Sequence, residues 1–222
     1  QEIDDVFGAF VDFGAALLPA ACIAQPFPSR PVTMILPFPP GGPAYLLARL
    51  IAKGMSENLG ENVGVEIKSG AGGNIGAEYV ARQSRPDGYT LLFATSSLAS
   101  NVSLTKLNFN PRTELTPVAG LFSIPNLLVI ADNAPYNTLA DLVSAARNDP
   151  SALTFGSSGP GTSSHLAGEL FKMIAEMPMT HVPYRGTGPV FPDVAAGRVT
   201  MVFGVFSAAV GQMKGLKLRA LA

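Results

Sequence analysis

The residues best suited to chemistry are the glycines and hydroxyl side chains of the run GSSGPGTSSHL, Gly156–Leu166. The run is predicted to lie between a strand and a helix, where backbone N–H groups are free and the helix dipole favours an anion. Glycine lets a ligand approach the backbone closely. Hydroxyls that can donate hydrogen bonds to a carboxylate are supplied by Ser157, Thr162, Ser163 and Ser164. The alternative, a capped turn without a ligand, is left open by this run alone.

Three further runs end predicted strands with glycine, proline or hydroxyl residues: Pro37–Pro43 (PFPPGGP), Ser69–Gly76 (SGAGGNIG) and Thr95–Ser97. In open α/β sheets, ligands bind at the carboxyl ends of the strands. The four runs together predict a small anionic ligand that is bound largely by backbone amides and hydroxyl groups.

Other kinds of site have less support. One cysteine and two histidines argue against a Cys-rich zinc module and against most histidine metal sites, so we predict no metal and no cofactor. The sequence contains neither a G-x-S-x-G elbow nor a P-loop. His165 follows Ser164, but adjacent helical residues do not face each other, so His165 is predicted to cap the helix or contact the ligand. An α/β enzyme that uses the Gly161–His165 loop remains the alternative.

The hydrophobic periodicity predicts an α/β fold, with mainly parallel sheets covered by helices. Strands are predicted at Val32–Leu36, Val63–Ile67, Thr90–Ala94, Val118–Phe122, Leu127–Ala131, Leu153–Ser157, Met179–Val182, Val199–Phe203 and Leu216–Leu221. Helices are predicted from Pro43 to a stop at Gly60, and at Ile75–Gln83, Leu139–Asn148, Leu166–Ala175, Val190–Ala196 and Ser207–Lys214.

Composition excludes two classes of protein. The 222 residues include 15 basic and 16 acidic side chains, whereas a protein that binds nucleic acid by neutralising phosphates needs a basic excess. Hydrophobic residues make up 47% of the chain and the mean hydropathy is +0.29, so the chain is not of the disordered class.

The first 25 residues differ from the rest. An apolar run, Val6–Ile23, is interrupted by Asp12, which argues against a transmembrane helix and direct membrane insertion. The small residues that end at Ala24 resemble a signal-peptidase site. We therefore predict a degraded or mis-started export signal, with a disordered or locally helical extension as the alternative.

Five motifs match one known family in collinear order: Ser29–Pro43, Gly70–Ala77, Pro86–Leu92, Gly159–Phe171 and Thr180–Pro189. With them the chain resembles, from Pro26 to Ala222, the Bug family of periplasmic solute receptors of tripartite tricarboxylate transporters. The resemblance implies a two-domain Venus-flytrap fold, with a first α/β domain at 26–122 and a second at 123–222. It also implies a periplasmic protein that captures a small carboxylated metabolite and delivers it to the membrane subunits of a transporter.

The resemblance further implies which residues contact the ligand. In the first domain they are Phe38, Pro39, Gly41, Gly42, Ala71, Gly72, Ser96 and Ser97. In the second domain they are Ser157, Gly161, Thr162, Ser163, His165, Tyr184, Thr187 and Gly204.

Three departures from the family pattern carry expectations of their own. Tyr45 and Gly204 stand where the family has aspartate, and the loss of the carboxylate at 204 favours a plainer acid over one that carries an ammonium or hydroxyl group. Family members also continue past Ala222, so the first domain is expected to be incomplete, less stable and prone to aggregation. A non-functional truncated remnant is therefore a further alternative.

Overall fold

The computed structural model describes residues 26–149 and 153–222, which form two β-sheets flanked by helices. A three-stranded sheet has the order β2-β1-β3, and a five-stranded sheet has the order β6-β5-β7-β4-β8. The strands are β1 (Val32–Leu36), β2 (Val63–Ile67), β3 (Thr90–Leu92), β4 (Asn126–Ala131), β5 (Thr154–Ser157), β6 (Thr180–Pro183), β7 (Met201–Val205) and β8 (Leu218–Ala220).

Helices connect most of these strands. They are α1 (Pro43–Leu59), α2 (Asn74–Glu78, continued by a π-helical turn at Tyr79–Gln83), α3 (Ser97–Leu104), α4 (Pro111–Glu114), α5 (Leu139–Asn148), α6 (Ser163–Ile174), α7 (Val190–Ala195) and α8 (Phe206–Met213).

The three-stranded sheet is wholly parallel, with β1 in the middle. Most β1 side chains are buried, because Met34 and Leu36 pack on Ala48 of α1 and on Phe93, which follows β3. The small Ala48 lets the helix approach the sheet closely. Helix α1 starts with proline and ends at Gly60 in the left-handed conformation, the two signals from which its bounds were predicted.

The five-stranded sheet is mixed. Strands β5, β6 and β7 are parallel to one another, whereas β4 runs antiparallel to both of its neighbours, β7 and β8. The carboxyl ends of β5, β6 and β7 therefore lie at one edge of the sheet, and the carboxyl end of β4 lies at the opposite edge. Phe155 of β5 is fully buried in one of the two cores that flank this sheet.

Comparison with the sequence predictions confirms the α/β class and most elements; the one-turn helix α4 was not predicted, and two larger differences stand out. Val118–Phe122 is not a strand: it lies in irregular backbone, Val118 is 82% exposed and Phe122 packs on Phe93. Helix α3 was missed, because its serine- and asparagine-rich sequence is typical of a loop. The signal-like segment, 1–25, lies outside the described residues, and the domain boundaries stay a prediction.

The close packing of α6 on β5 gives a stability prediction. A Cβ at Gly168 of α6 would lie 2.2 Å from the buried Phe155 ring, whereas a Cβ at Gly54 of α1 would meet nothing within 4 Å. We expect Gly168→Ala to lower the free energy of unfolding by about 1–3 kcal/mol through overpacking. Gly54→Ala should raise it by about 0.5–1 kcal/mol through helix propensity. Urea unfolding of the two variants measures both, and equal effects would contradict the packing.

Candidate functional site

The loops after the parallel strands of the two sheets meet each other. The loop after β1 contacts the loop after β6, where a Cβ at Gly186 would lie 3.1 Å from Cγ of Pro39. The loop after β2 contacts the loop after β5, where a Cβ at Gly72 would lie 2.4 Å from the carbonyl oxygen of Pro160. We call this meeting place the cleft, bounded by 37–42, 70–73 and 95–101 on one side and by 158–162 and 184–188 on the other.

The loop Gly70–Gly73 reaches across the cleft through an unusual backbone. All four residues have positive φ, including Ala71 at 48°, a conformation that a residue with a Cβ adopts only at an energetic cost. Gly72 has no room for a side chain because the Pro160 carbonyl lies against it. The glycine-rich sequence is therefore explained by close approach as well as by the turn.

A second contact across the cleft comes from α3. The hydroxyl of Ser100 donates a hydrogen bond to the carbonyl oxygen of Gly161. Its neighbour Asn101 is 1% exposed and lies so close that a Cβ at Gly161 would be 1.7 Å from Asn101 Oδ1. Sequence analysis did not identify either residue, because it did not predict the helix that carries them.

The loop after β5 is held by hydrogen bonds among its own residues. Ser164 Oγ accepts from the N–H of Ser158 at 2.9 Å, and Thr162 Oγ1 donates to the carbonyl of Gly159 at 2.6 Å. Thr162 is the residue before α6, yet its hydroxyl makes no capping bond to that helix. Three consecutive N–H groups, at Ser163, Ser164 and His165, have no acceptor among the described residues.

Absent caps are common to every helix that starts at the cleft edge. Among the described residues, six α-helices begin without a side-chain cap, and each follows a strand whose carboxyl end lies at this edge: α1, α2, α3, α6, α7 and α8. The two capped helices begin elsewhere. Helix α4 is capped by Asn110, and α5, which follows the antiparallel β4, has a capping box of Thr138 and Asp141.

Acidic residues in the first helical turn are distributed in nearly the same way as the caps. Asp141 in the first turn of α5 accepts hydrogen bonds from the backbone N–H groups of Thr138 and Asn137, which lower its pKa. Of the six helices at the cleft edge, only α7 has an acidic residue in its first turn, Asp193. The positive ends of the other five are not compensated by a carboxylate of their own first turn, so the edge favours an added anion.

Tyr184 and Asp193 pair with each other. The Tyr184 hydroxyl donates to Asp193 Oδ2 at 2.6 Å, and burial together with this bond raises the pKa of Tyr184 to about 12. The hydrogen bond from Tyr184, together with a second one from Arg198, lowers the pKa of Asp193. The phenol therefore stays protonated, and Tyr184 presents its ring rather than a free hydroxyl.

A serine and a histidine are paired behind the same loop. Ser157 Oγ lies 2.6 Å from His181 Nε2 and also accepts from the N–H of Gly159 at 3.1 Å. Burial, with the nearby His165, lowers the pKa of His181, and the two imidazole rings lie 4.3 Å apart. A hydroxyl so close to a histidine has the spacing of an activated nucleophile, but Ser157 is fully buried and cannot meet a substrate in this arrangement.

The remaining predicted residues fall into two groups. Several lie at the cleft: Phe38 and Ser97 next to Gly73, Gly42 and Ser96 immediately before α1 and α3, Gly41 in the loop after β1, and Thr187 in the loop after β6. His165 accepts a hydrogen bond from the N–H of Gly161 at 3.2 Å, so it supports the loop. Gly204 is buried in β7, where a Cβ would lie 2.8 Å from the ring of Phe191.

A cavity of about 400 Å³ opens beside the cleft. Ala71 and Pro160 contribute to its wall, together with Glu78 and Lys106. One carboxylate and one ammonium group give this wall no preference for an anion. Within 26–149 and 153–222, no group of three or more His, Cys, Asp or Glu side chains is placed to hold a metal ion.

Comparisons with known proteins give matches over most of the chain. The model of the tripartite tricarboxylate transporter family receptor, TctC, matches residues 47–222. BugT of Bordetella pertussis is 33% identical over 220 residues, which cover 98% of this chain and 67% of BugT. The chain spans about three fifths of the length of several other curated relatives that it matches.

Solved structures extend the likeness to the fold. Rpa4515 from R. palustris, solved with adipate, has a TM-score of 0.84 and 37% identity over 88% of this chain and 66% of that one. MatC from Rhodopseudomonas palustris, with bound malate, has a TM-score of 0.79 and 31% identity over 88% and 67%. The periplasmic-binding-protein fold is thus confirmed, and none of the helices in the described residues has the length and apolarity to cross a membrane.

The family is one of transporter receptors, so the prediction of a receptor rather than an enzyme is confirmed at the level of the family. From the matched 176 of its 222 residues (47–222), and from the relatives that share its fold, the chain belongs to the TctC/Bug family of tripartite tricarboxylate transporter receptors.

Proposed function

We propose that this chain is the ligand-binding part of a periplasmic receptor that captures a small carboxylate for a tripartite tricarboxylate transporter. The observation that carries the proposal is the start of α6, where three consecutive backbone N–H groups have no acceptor among the described residues. A carboxylate at this helix N-terminus would accept from these groups and interact favourably with the helix dipole.

The relatives narrow the ligand to a class. Rpa4515 was solved with adipate and MatC with bound malate, and both molecules are dicarboxylates. A dicarboxylate fits a cleft where helix N-termini approach from both sheets, because each carboxylate can then meet its own set of donors. Loops that offer backbone groups rather than long side chains leave room for bridging water.

The glycine at 204 favours a dicarboxylate that carries no ammonium or hydroxyl group. No carboxylate is available at this position, and the Phe191 ring occupies the space that a side chain on Gly204 would need. A ligand ammonium group buried near this position would lose its hydration without gaining a charged partner.

The proposal includes a cycle of capture and delivery. Residues 26–122 and 123–222 would form two domains that close on the carboxylate and then present a surface to the membrane subunits. The signal-like residues 1–25 support export to the periplasm.

A proline at the start of α6 tests the site directly. Ser163 is the first residue of α6, and Thr162 before it has φ −76° and ψ 161°, which suits a residue that precedes proline. Ser163→Pro should keep the helix, remove one N–H donor, and weaken adipate or succinate binding by roughly 10- to 100-fold. Calorimetry measures the affinity, and a thermal melt checks the fold.

Ser163→Ala is the matched control, since it removes the hydroxyl and keeps the N–H group. We expect it to bind much more tightly than Ser163→Pro. Equal, wild-type affinity in both variants would place the carboxylate away from this helix.

Two ligands with the same carbon skeleton test the role of Gly204. Succinate and aspartate differ only in the ammonium group, and we expect the chain to bind succinate at least about tenfold more tightly. Competition calorimetry measures the ratio of the two dissociation constants. Tighter binding of aspartate would overturn the expectation of an acid without an ammonium group.

His181 makes the stability of the fold depend on pH. Its pKa is below the ordinary 6.5, mainly because of burial, with a further lowering by His165 and Lys172 and an opposing effect of Glu169. Below pH 6.5 the unfolded chain therefore binds more protons than the folded chain, so stability falls as the pH falls towards the folded pKa.

Thermal melts between pH 7.5 and about 5 measure this effect. We expect the wild-type melting temperature to fall by a few degrees more than that of His181→Gln over this range. Asp141 and Asp193 have pKa values below the ordinary 3.8, so they contribute only at lower pH. The same fall in both proteins would show that His181 is not the group that titrates.

A further inference from the structure

Ser100 holds the two sides of the cleft together although it is not among the residues predicted to contact ligand. Its hydroxyl, on α3, donates to the carbonyl oxygen of Gly161 in the loop before α6. This hydrogen bond joins the part of the chain that carries the three-stranded sheet to the part that carries the five-stranded sheet.

The hydroxyl has a second acceptor within its own helix. Ser100 Oγ lies 3.3 Å from the carbonyl oxygens of both Ser96 and Ser97. Serine in a helix commonly donates to a carbonyl three or four residues earlier. If the loop moved away, the hydroxyl would turn to one of these carbonyls, so neither arrangement leaves a donor without a partner.

Asn101 sets the distance of the neighbouring contact, between α3 and the loop at Gly161. Its Nδ2 donates to Asn74 Oδ1 at 2.8 Å. Asn74 Nδ2 in turn donates to Thr105 Oγ1, and Thr105 Oγ1 donates to the backbone carbonyl of Asn101. These bonds hold the Asn101 side chain in one position. Asn101 Oδ1 is buried, has no hydrogen-bond partner within 26–149 and 153–222, and lies against Gly161. The loop can therefore approach α3 to this distance and no further, and closure costs the hydration of this oxygen.

We propose that Ser100 is a latch for the cleft, which stabilises the closed arrangement through Gly161, and that Asn101 is the stop that sets the closing distance. Because the hydroxyl exchanges one acceptor for another, the latch is weak, and the ligand has to supply the rest of the closing free energy. This inference rests on the proposed function, in that a closed cleft is the ligand-bound form of a receptor.

Hydrogen exchange of the chain without ligand tests the latch independently of the ligand's identity. In Ser100→Ala the hydrogen-bonded amides of Gly161 and Thr162 should exchange about three- to tenfold faster than in the wild type. The matched control is Ser103→Ala, an exposed serine of the same helix, which should exchange as the wild type does. Ser100→Thr keeps the hydroxyl and should restore slow exchange.

The amide of the buried Val129 in β4 serves as an internal reference, because faster exchange there would indicate global unfolding rather than an open cleft. Faster exchange confined to the cleft supports the latch. Unchanged exchange in Ser100→Ala, or equal acceleration at Val129, overturns it.

A binding measurement separates this inference from the proposed function. With adipate as the probe, Ser100→Ala should raise the dissociation rate about three- to tenfold and leave the association rate nearly unchanged. If the wild type binds no carboxylate while Ser100→Ala still opens the cleft, the latch stands and the proposed function fails. If the wild type binds and Ser100→Ala dissociates at the wild-type rate, the latch is wrong and the proposed function stands.

Discussion

A backbone N–H group that is removed from water needs a hydrogen-bond acceptor. The binding properties of the cleft depend on where this fold places helix N-termini whose N–H groups have none. A right-handed crossover from one parallel strand to the next starts its helix at the carboxyl edge of the sheet. Six helices in the described residues therefore begin at this edge, and each of them lacks a side-chain cap. Because β4 is antiparallel to β7, α5 begins at the opposite edge of the sheet, and that helix has its own capping box. The strand topology therefore decides which helix N-termini are capped by their own side chains and which can bind an anion.

Polar side chains around the cleft bond mainly to other groups of the protein, both side chains and backbone. Tyr184 is bonded to Asp193, Ser157 to His181, and Thr162 to the Gly159 carbonyl. Each bond uses a polar group that could otherwise meet a ligand, and each fixes a segment of loop. Preorganised backbone groups lose little entropy when a ligand arrives, so this arrangement suits a receptor more than an enzyme.

Much of the fold was predictable because its signals are local. Proline at 43 and glycine at 60 mark the ends of α1, and the short apolar runs around 34 and 129 mark central strands. Helix α3 was not predictable from its own residues, since its three serines and one asparagine are weak helix formers that interrupt the apolar positions. Val118–Phe122 shows the reverse, because an apolar run without a partner strand stays irregular.

The cleft loops were predictable as a group from their glycines, but the roles of single residues were not. Glycine at 161 was read as a site of ligand approach, and the structure places Asn101 against it. Ser157 was read as a ligand donor, and it is fully buried beside His181. Such pairings join residues that are far apart in the chain, and spacing along the sequence does not reveal them.

The contact between Gly161 and Asn101 also constrains how this cleft can evolve. A methyl group at 161 would coincide with the Asn101 amide, and the positive φ of 74° at 161 disfavours any Cβ, so a larger residue at 161 requires at least a smaller one at 101. The two positions are therefore epistatic, and the order in which they change matters. The same dependence offers a way to reset the closing distance of the cleft by exchanging both residues together, while the N–H groups that begin α6 stay as they are.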